Sequence, residues 1–75
     1  MQSKIQYVKR EKLKEFRENL KLSQAEMANK LHLSLIQYQF IELGRRNPSY
    51  NVLITFKECF PKANIEEIFL AQNFT

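Results

Sequence analysis

Between Ser23 and Gly44 the chain reads SQAEMANKLHLSLIQYQFIELG, and that stretch contains two helix starts in quick succession. Ser23 is followed three residues later by Glu26, and Ser34 three residues later by Gln37. At such spacings the serine hydroxyl accepts from the backbone N–H of the third residue, whose side chain reaches back to the serine N–H, so each serine is read as a helix cap. The two starts lie eleven residues apart, which allows a short helix, a tight break and a second helix. Ala25, Ala28 and Leu31 give the first an inner face of small and apolar residues. Tyr38 and Ile41 recur three apart on the second, as crossed helices in a compact pair require. Geometry of this kind occurs in many helical domains and does not by itself assign a function.

The flanking sequence adds three helices. From Lys9 to Leu20, the residues Leu13, Phe16 and Leu20 recur at spacings of three and four among charged neighbours, which predicts an amphipathic first helix. Gly44, the chain's one glycine, is expected to end the third helix in left-handed conformation. Arg45, Arg46 and Asn47 form an exposed loop, and Pro48 with Ser49 sets up a fourth helix whose Leu53, Phe56 and Phe60 share a face. Pro61 stops it. Asn64 and Glu67 repeat the capping spacing ahead of a short fifth helix with Ile65, Ile68 and Phe69. Residues 1–8 alternate weakly around Ile5, Tyr7 and Val8 and are read as an arm. The expectation is therefore an all-α, compact five-helix domain over residues 9–75.

A chain of 75 residues buries roughly 60 to 65% of its unfolded surface, too little core to surround an elaborate catalytic pocket. A binding module is the natural reading. The formal charge is +4, and residues 1–30 hold eight basic against four acidic side chains, which suits a phosphate backbone. Cys59 is the single cysteine, so no internal disulfide or cysteine-based metal cluster is expected, and it is read as a semi-buried small hydrophobe. His32 has no partners that would make it a metal ligand. No apolar run approaches membrane-spanning length and the first residues lack an export signal, so a cytoplasmic protein is expected. Paired carboxylates beside a histidine, a nucleophile motif and a phosphate-cradling glycine loop are all missing, so neither catalytic residues nor a cofactor is expected.

Taken together, LKEFRENLKLSQAEMANKL, the segment to Gly44, IELGRRNPS and the closing IEEIF form a helix-turn-helix pattern. Over roughly residues 9–70 it resembles the Cro and lambda-repressor-like family of phage repressors and their cellular relatives. The resemblance implies that the helix opened by LSQAE crosses the DNA backbone and that the helix opened by Ser34 is the recognition helix, closed by Glu-x-Gly and followed by Arg-x-Pro-Ser. It further implies an ion pair between Arg17 and Glu42. That pair either lies buried and locks the first helix to the third or sits at the surface, where it is worth at most about 1 kcal/mol.

Carried over residue by residue, the resemblance puts Ser23, Gln24 and the amides after them at a phosphate, with Arg45, Arg46 and Asn47 at phosphate across the groove. Ser34, Leu35, Ile36, Gln37, Gln39 and Phe40 match positions that face bases or the adjoining sugar-phosphate. Gln39 leads for polar readout, because an outward glutamine bonds bidentately to adenine N6 and N7. Capping competes for Ser34 and Gln37. Tyr38 is expected in the core with its hydroxyl at the rim, and Tyr50 in surface packing rather than against phosphate.

Two departures from the family pattern stand out. Ile36, Phe40 and Leu43 make an outward apolar stripe where many members carry polar or basic residues, and this stripe suits either thymine methyls or a protein partner. His32 stands where glycine is usual, so a non-glycine must accept left-handed geometry or the turn must change. The leading expectation is sequence-specific binding of double-stranded DNA by a transcriptional regulator, a repressor rather than an activator, acting as a homodimer. Phe56, Phe60, Phe69, Leu70 and Phe74 supply aromatic and apolar surface that a dimer would bury or that simply closes the core. The competing expectation is a protein-binding module on the same fold, antirepressor-like or antitoxin-like, using the apolar stripe.

Overall fold

The computed structural model describes residues 8–70. The expectations for Ile5, Tyr7 and Phe74 lie outside the described residues. In chain order come α1 (Glu11–Asn19), α2 (Gln24–Lys30), α3 (Leu35–Glu42) and α4 (Tyr50–Cys59), followed by one π-helical turn at Glu66–Leu70. The short fifth helix is thus a wider turn than an α-helix. It turns the adjacent Ile68 and Phe69 into the core together.

Each start follows from a local side chain. Ser23 Oγ accepts from Glu26 N at 3.0 Å while Glu26 Oε1 accepts from Ser23 N at 2.8 Å. Ser34 and Gln37 repeat the arrangement at 3.1 and 2.9 Å. Ser49 Oγ accepts from Val52 N, and Asn64 Oδ1 from Glu67 N. α1 alone begins without a side-chain cap, at Arg10.

The ends of α1, α2 and α3 are built alike. In each, the residue after the C-cap takes a positive φ: Lys21 at 62°, His32 at 61° and Gly44 at 79°. The N–H two residues past the C-cap then closes on a carbonyl of the last turn, Leu22 on Arg17, Leu33 on Ala28 and Arg45 on Phe40, at 3.2, 2.9 and 2.9 Å. The positive-φ residue donates to the next carbonyl, Glu18, Asn29 and Ile41 respectively. This double closure satisfies carbonyls that would otherwise be orphaned at a helix end. Gly44 is the sequence signal for one of the three, and of the two outcomes open for His32 the left-handed one is present, while nothing in the sequence marks Lys21.

The core joins Leu13 of α1, Met27, Ala28 and Leu31 of the α2 region, Tyr38 and Ile41 of α3, Val52 and Phe56 of α4, and Ala63, Ile68 and Phe69 beyond. Phe56 is the hub of an aromatic cluster, with ring centroids 5.4 Å from Phe16, 5.0 Å from Phe60 and 5.0 Å from Phe69. Such contacts add about 0.5 to 1.5 kcal/mol each beyond area burial. Phe56 and Phe69 therefore close the core, with Phe60 partly buried beside them, and of this apolar set Leu70 is exposed.

Three expectations are corrected. Ala25 is exposed and Met27 takes its place on the inner face of α2, which is formed by Met27, Ala28 and Leu31. Leu20 is exposed because α1 has ended before it. Cys59 is exposed, its Sγ–H donating to Lys30 O at 3.6 Å, because it is the last residue of α4, where the chain turns away at Pro61.

Candidate nucleic-acid interface

α3 is held along one side only. Tyr38, Ile41 and Glu42 face inward and are buried, and at 100° per residue the opposite side must carry the positions between them. There Ile36 is 63% exposed, Leu35 42%, Leu43 39% and Phe40 38%. These are large apolar groups left at the surface of a helix that is otherwise well anchored.

The anchor is a carboxylate with four donors. Arg17 Nε donates to Glu42 Oε2 at 2.6 Å and Nη2 to Oε1 at 3.3 Å, with both side chains more than nine-tenths buried. Tyr38 Oη donates to Oε2 at 2.6 Å, and Gln24 Nε2 to Oε1 at 3.0 Å. The third Arg17 nitrogen, Nη1, donates to Leu22 O. Burial alone would raise the Glu42 carboxyl. The bonds from Arg17, Tyr38 and Gln24 outweigh it and hold the group below the ordinary carboxylate range. The bond to Glu42 raises the Arg17 guanidinium against its own desolvation. Burial, and then the bond to Glu42, pushes the Tyr38 hydroxyl up, so it remains a donor. Of the two geometries open for Arg17 and Glu42, the buried one is present, and it ties α1, α2 and α3 at one point.

Gln24 passes this order to α3. Because Glu42 is acceptor-only, Gln24 turns its Nε2 inward, which leaves its Oε1 to accept from Gln39 Nε2 at 3.0 Å. Gln39 is therefore half-buried beside the start of α2, rather than the free outward side chain that its helical position suggests. Its Oε1 and second amide N–H retain a fixed polarity.

A second polar node went unseen in the sequence. Arg10 is buried, and its Nη1 donates to Ile41 O at 2.7 Å and Arg46 O at 3.1 Å, Nη2 to Asn47 Oδ1 at 2.8 Å, and Nε to Phe69 O at 3.3 Å. Arg10 N donates to Glu42 O. Desolvation lowers its pKa, but an arginine remains protonated from any ordinary starting point. The signal was its place three before Leu13 and seven before Arg17, on one face of α1. Its partners are mostly main-chain carbonyls, which no residue pattern reveals.

The structure brings several predicted site residues together and leaves others apart. Ser23, Gln24 and Gln39 meet at the α2 start. Ser34 and Gln37 are engaged with each other. Arg45, Arg46 and Asn47 are exposed on the loop after α3, with the Asn47 carbonyl oxygen already bonded to Arg10. His32 is exposed and adopts the left-handed geometry. Tyr38 is core, its hydroxyl on Glu42 rather than at the rim, and Tyr50 is 75% exposed.

Among the described residues no cluster of His, Cys, Asp or Glu could hold a metal ion, and no helix is long and apolar enough to cross a membrane. A family model described as a helix-turn-helix domain matches residues 11–74. No curated protein and no solved structure matches the chain significantly.

Proposed function

Because the chain belongs to the helix-turn-helix domain family, we propose that it binds double-stranded DNA as a transcriptional regulator of the Cro and lambda-repressor-like type, with α3 in the major groove. The observation that carries this reading is the one-sided anchoring of α3. Tyr38, Ile41 and Glu42 fix its orientation from within while Leu35, Ile36 and Phe40 stay accessible.

Ser23, Gln24 and the amides at the start of α2 take one phosphate. Arg45, Arg46 and Asn47 take another beyond α3. These contacts set position, and Ser34, Leu35, Ile36, Gln37, Gln39 and Phe40 face base edges or the sugar beside them. Gln39 keeps an acceptor and a donor, the pair that matches adenine N6 and N7. One short helix covers too few base pairs for strong specificity, so the active form is a homodimer on a two-fold site. Repression fits such a domain better than activation, since occupying DNA suffices to block it.

The exposed stripe of Ile36, Phe40 and Leu43 favours a second reading, a protein-binding module on the same fold. Selection from a random duplex pool by the full chain separates the two. DNA binding predicts an enriched palindrome whose affinity falls steeply with salt, with Arg46→Ala lowering the log–log salt slope by about 1. Absence of enrichment defeats the DNA reading and leaves the protein-binding one.

A further inference from the structure

We infer that α3 reads its site chiefly through pyrimidine C5-methyl groups, so that its substrate is duplex DNA presenting thymine, or 5-methylcytosine, opposite Leu35, Ile36 and Phe40. The inference rests on the DNA-binding reading and deepens it by naming the chemical group recognised.

Each polar side chain along α3 has at least one group bonded within the protein, Ser34 Oγ and Gln37 Oε1 in the capping box, Gln39 Nε2 on Gln24, Tyr38 and Glu42 in the buried node, which leaves for bases only the Gln37 amide donors and the Oε1 and second N–H of half-buried Gln39. Beside those, what α3 offers outward is the large apolar set Leu35, Ile36, Phe40 and Leu43, between 38 and 63% exposed. Hydrogen-bond readout needs donors and acceptors free to leave their partners, whereas an apolar surface gains by removing methyl groups from water. In the major groove the C5-methyl of thymine is the apolar group that the natural base edges provide, and 5-methylcytosine places the same group at the same ring position. The charge around the stripe selects DNA over a protein as its occupant. Exposed Arg45 and Arg46 follow it directly, and the chain carries +4 overall.

The test uses the full chain and the duplex it selects from a random pool, compared by fluorescence anisotropy with the same duplex carrying deoxyuridine for thymine. A duplex with 5-methylcytosine replacing cytosine at the facing positions is the complementary probe. Uracil lacks only the methyl, so each substituted contact weakens binding about four-fold, as one buried methyl requires, and 5-methylcytosine strengthens it. Ile36→Ala, at an exposed position that leaves the core untouched, abolishes the thymine-over-uracil difference at its own base pair. The inference is overturned if the uracil duplex binds as tightly as the thymine duplex. It is also overturned if Ile36→Ala and Phe40→Ala bind with unchanged thymine preference, the result expected of a protein-docking stripe. Both of those leave DNA binding standing, whereas failure to select any duplex removes the inference together with the reading beneath it.

Discussion

The ends of α2 and α3 use the same backbone closure and differ in everything around it. At the end of α2, His32 is exposed, and the turn is held by Leu33 N on Ala28 O and His32 N on Asn29 O. At the end of α3, Gly44 lies beneath the Val8 carbonyl, Arg10 donates to Ile41 O and Arg46 O, and Glu42 receives Arg17, Tyr38 and Gln24. The first needs only a backbone willing to take positive φ. The second needs that and the absence of a Cβ, which would overlap the Val8 carbonyl. The difference locates control of α3: its orientation is set from its C-terminal end, by contacts to α1 and the lead-in, while the turn before it is a local device.

Breaking the tied end should have the largest effect. Glu42→Ala leaves Arg17 buried without its carboxylate and should lower stability by about 3 to 5 kcal/mol in denaturant unfolding. The same group gives an acid limb. Its folded pKa lies below the ordinary value, about 4.3, so its contribution is present above that pH and is lost as pH falls through the folded pKa. The melting temperature should therefore decline on acidification below about pH 4, and the part of that decline due to Glu42 should vanish in Glu42→Gln. Gly44→Ala comes next, at about 3 kcal/mol, combining left-handed strain with steric overlap. Ser34→Ala removes a cap from the start of α3 and should cost about 1 kcal/mol. Smallest, and of opposite sign, His32→Gly should stabilise by about 0.5 to 1 kcal/mol by relieving the left-handed strain. If His32→Gly destabilised as strongly as Gly44→Ala, the contrast between the two ends would be lost.

How far these features were legible depends on whether their partners are side chains or backbone. The caps at Ser23, Ser34, Ser49 and Asn64 were readable because both members of each contact lie three residues apart. Helix bounds followed to within about two residues, as fraying ends allow. Gly44 was readable as a left-handed end, but Lys21 was not, since lysine carries no signal for positive φ. Arg17 and Glu42 were identified through family resemblance, twenty-five positions apart, with their burial left open. Arg10 was illegible because its acceptors are largely carbonyls of α3, the loop and the final turn. Gln39 was placed on the right helix but with too free a side chain. Helical periodicity gives a direction, and it does not reveal that Gln24 waits there with its acceptor turned outward by Glu42.

On the proposed function, the anchored α3 presents its outer face to DNA. Amide-resolved NMR of the full chain during titration with its selected duplex tests this most directly. DNA binding through α3 should give shifts concentrated at Ser23 and Gln24, along Leu35 to Phe40, and at Arg45 to Asn47, with α4 little changed. Shifts centred instead on the apolar hollow formed by Phe16, Cys59, Phe60 and Pro61, with α3 silent, would contradict it.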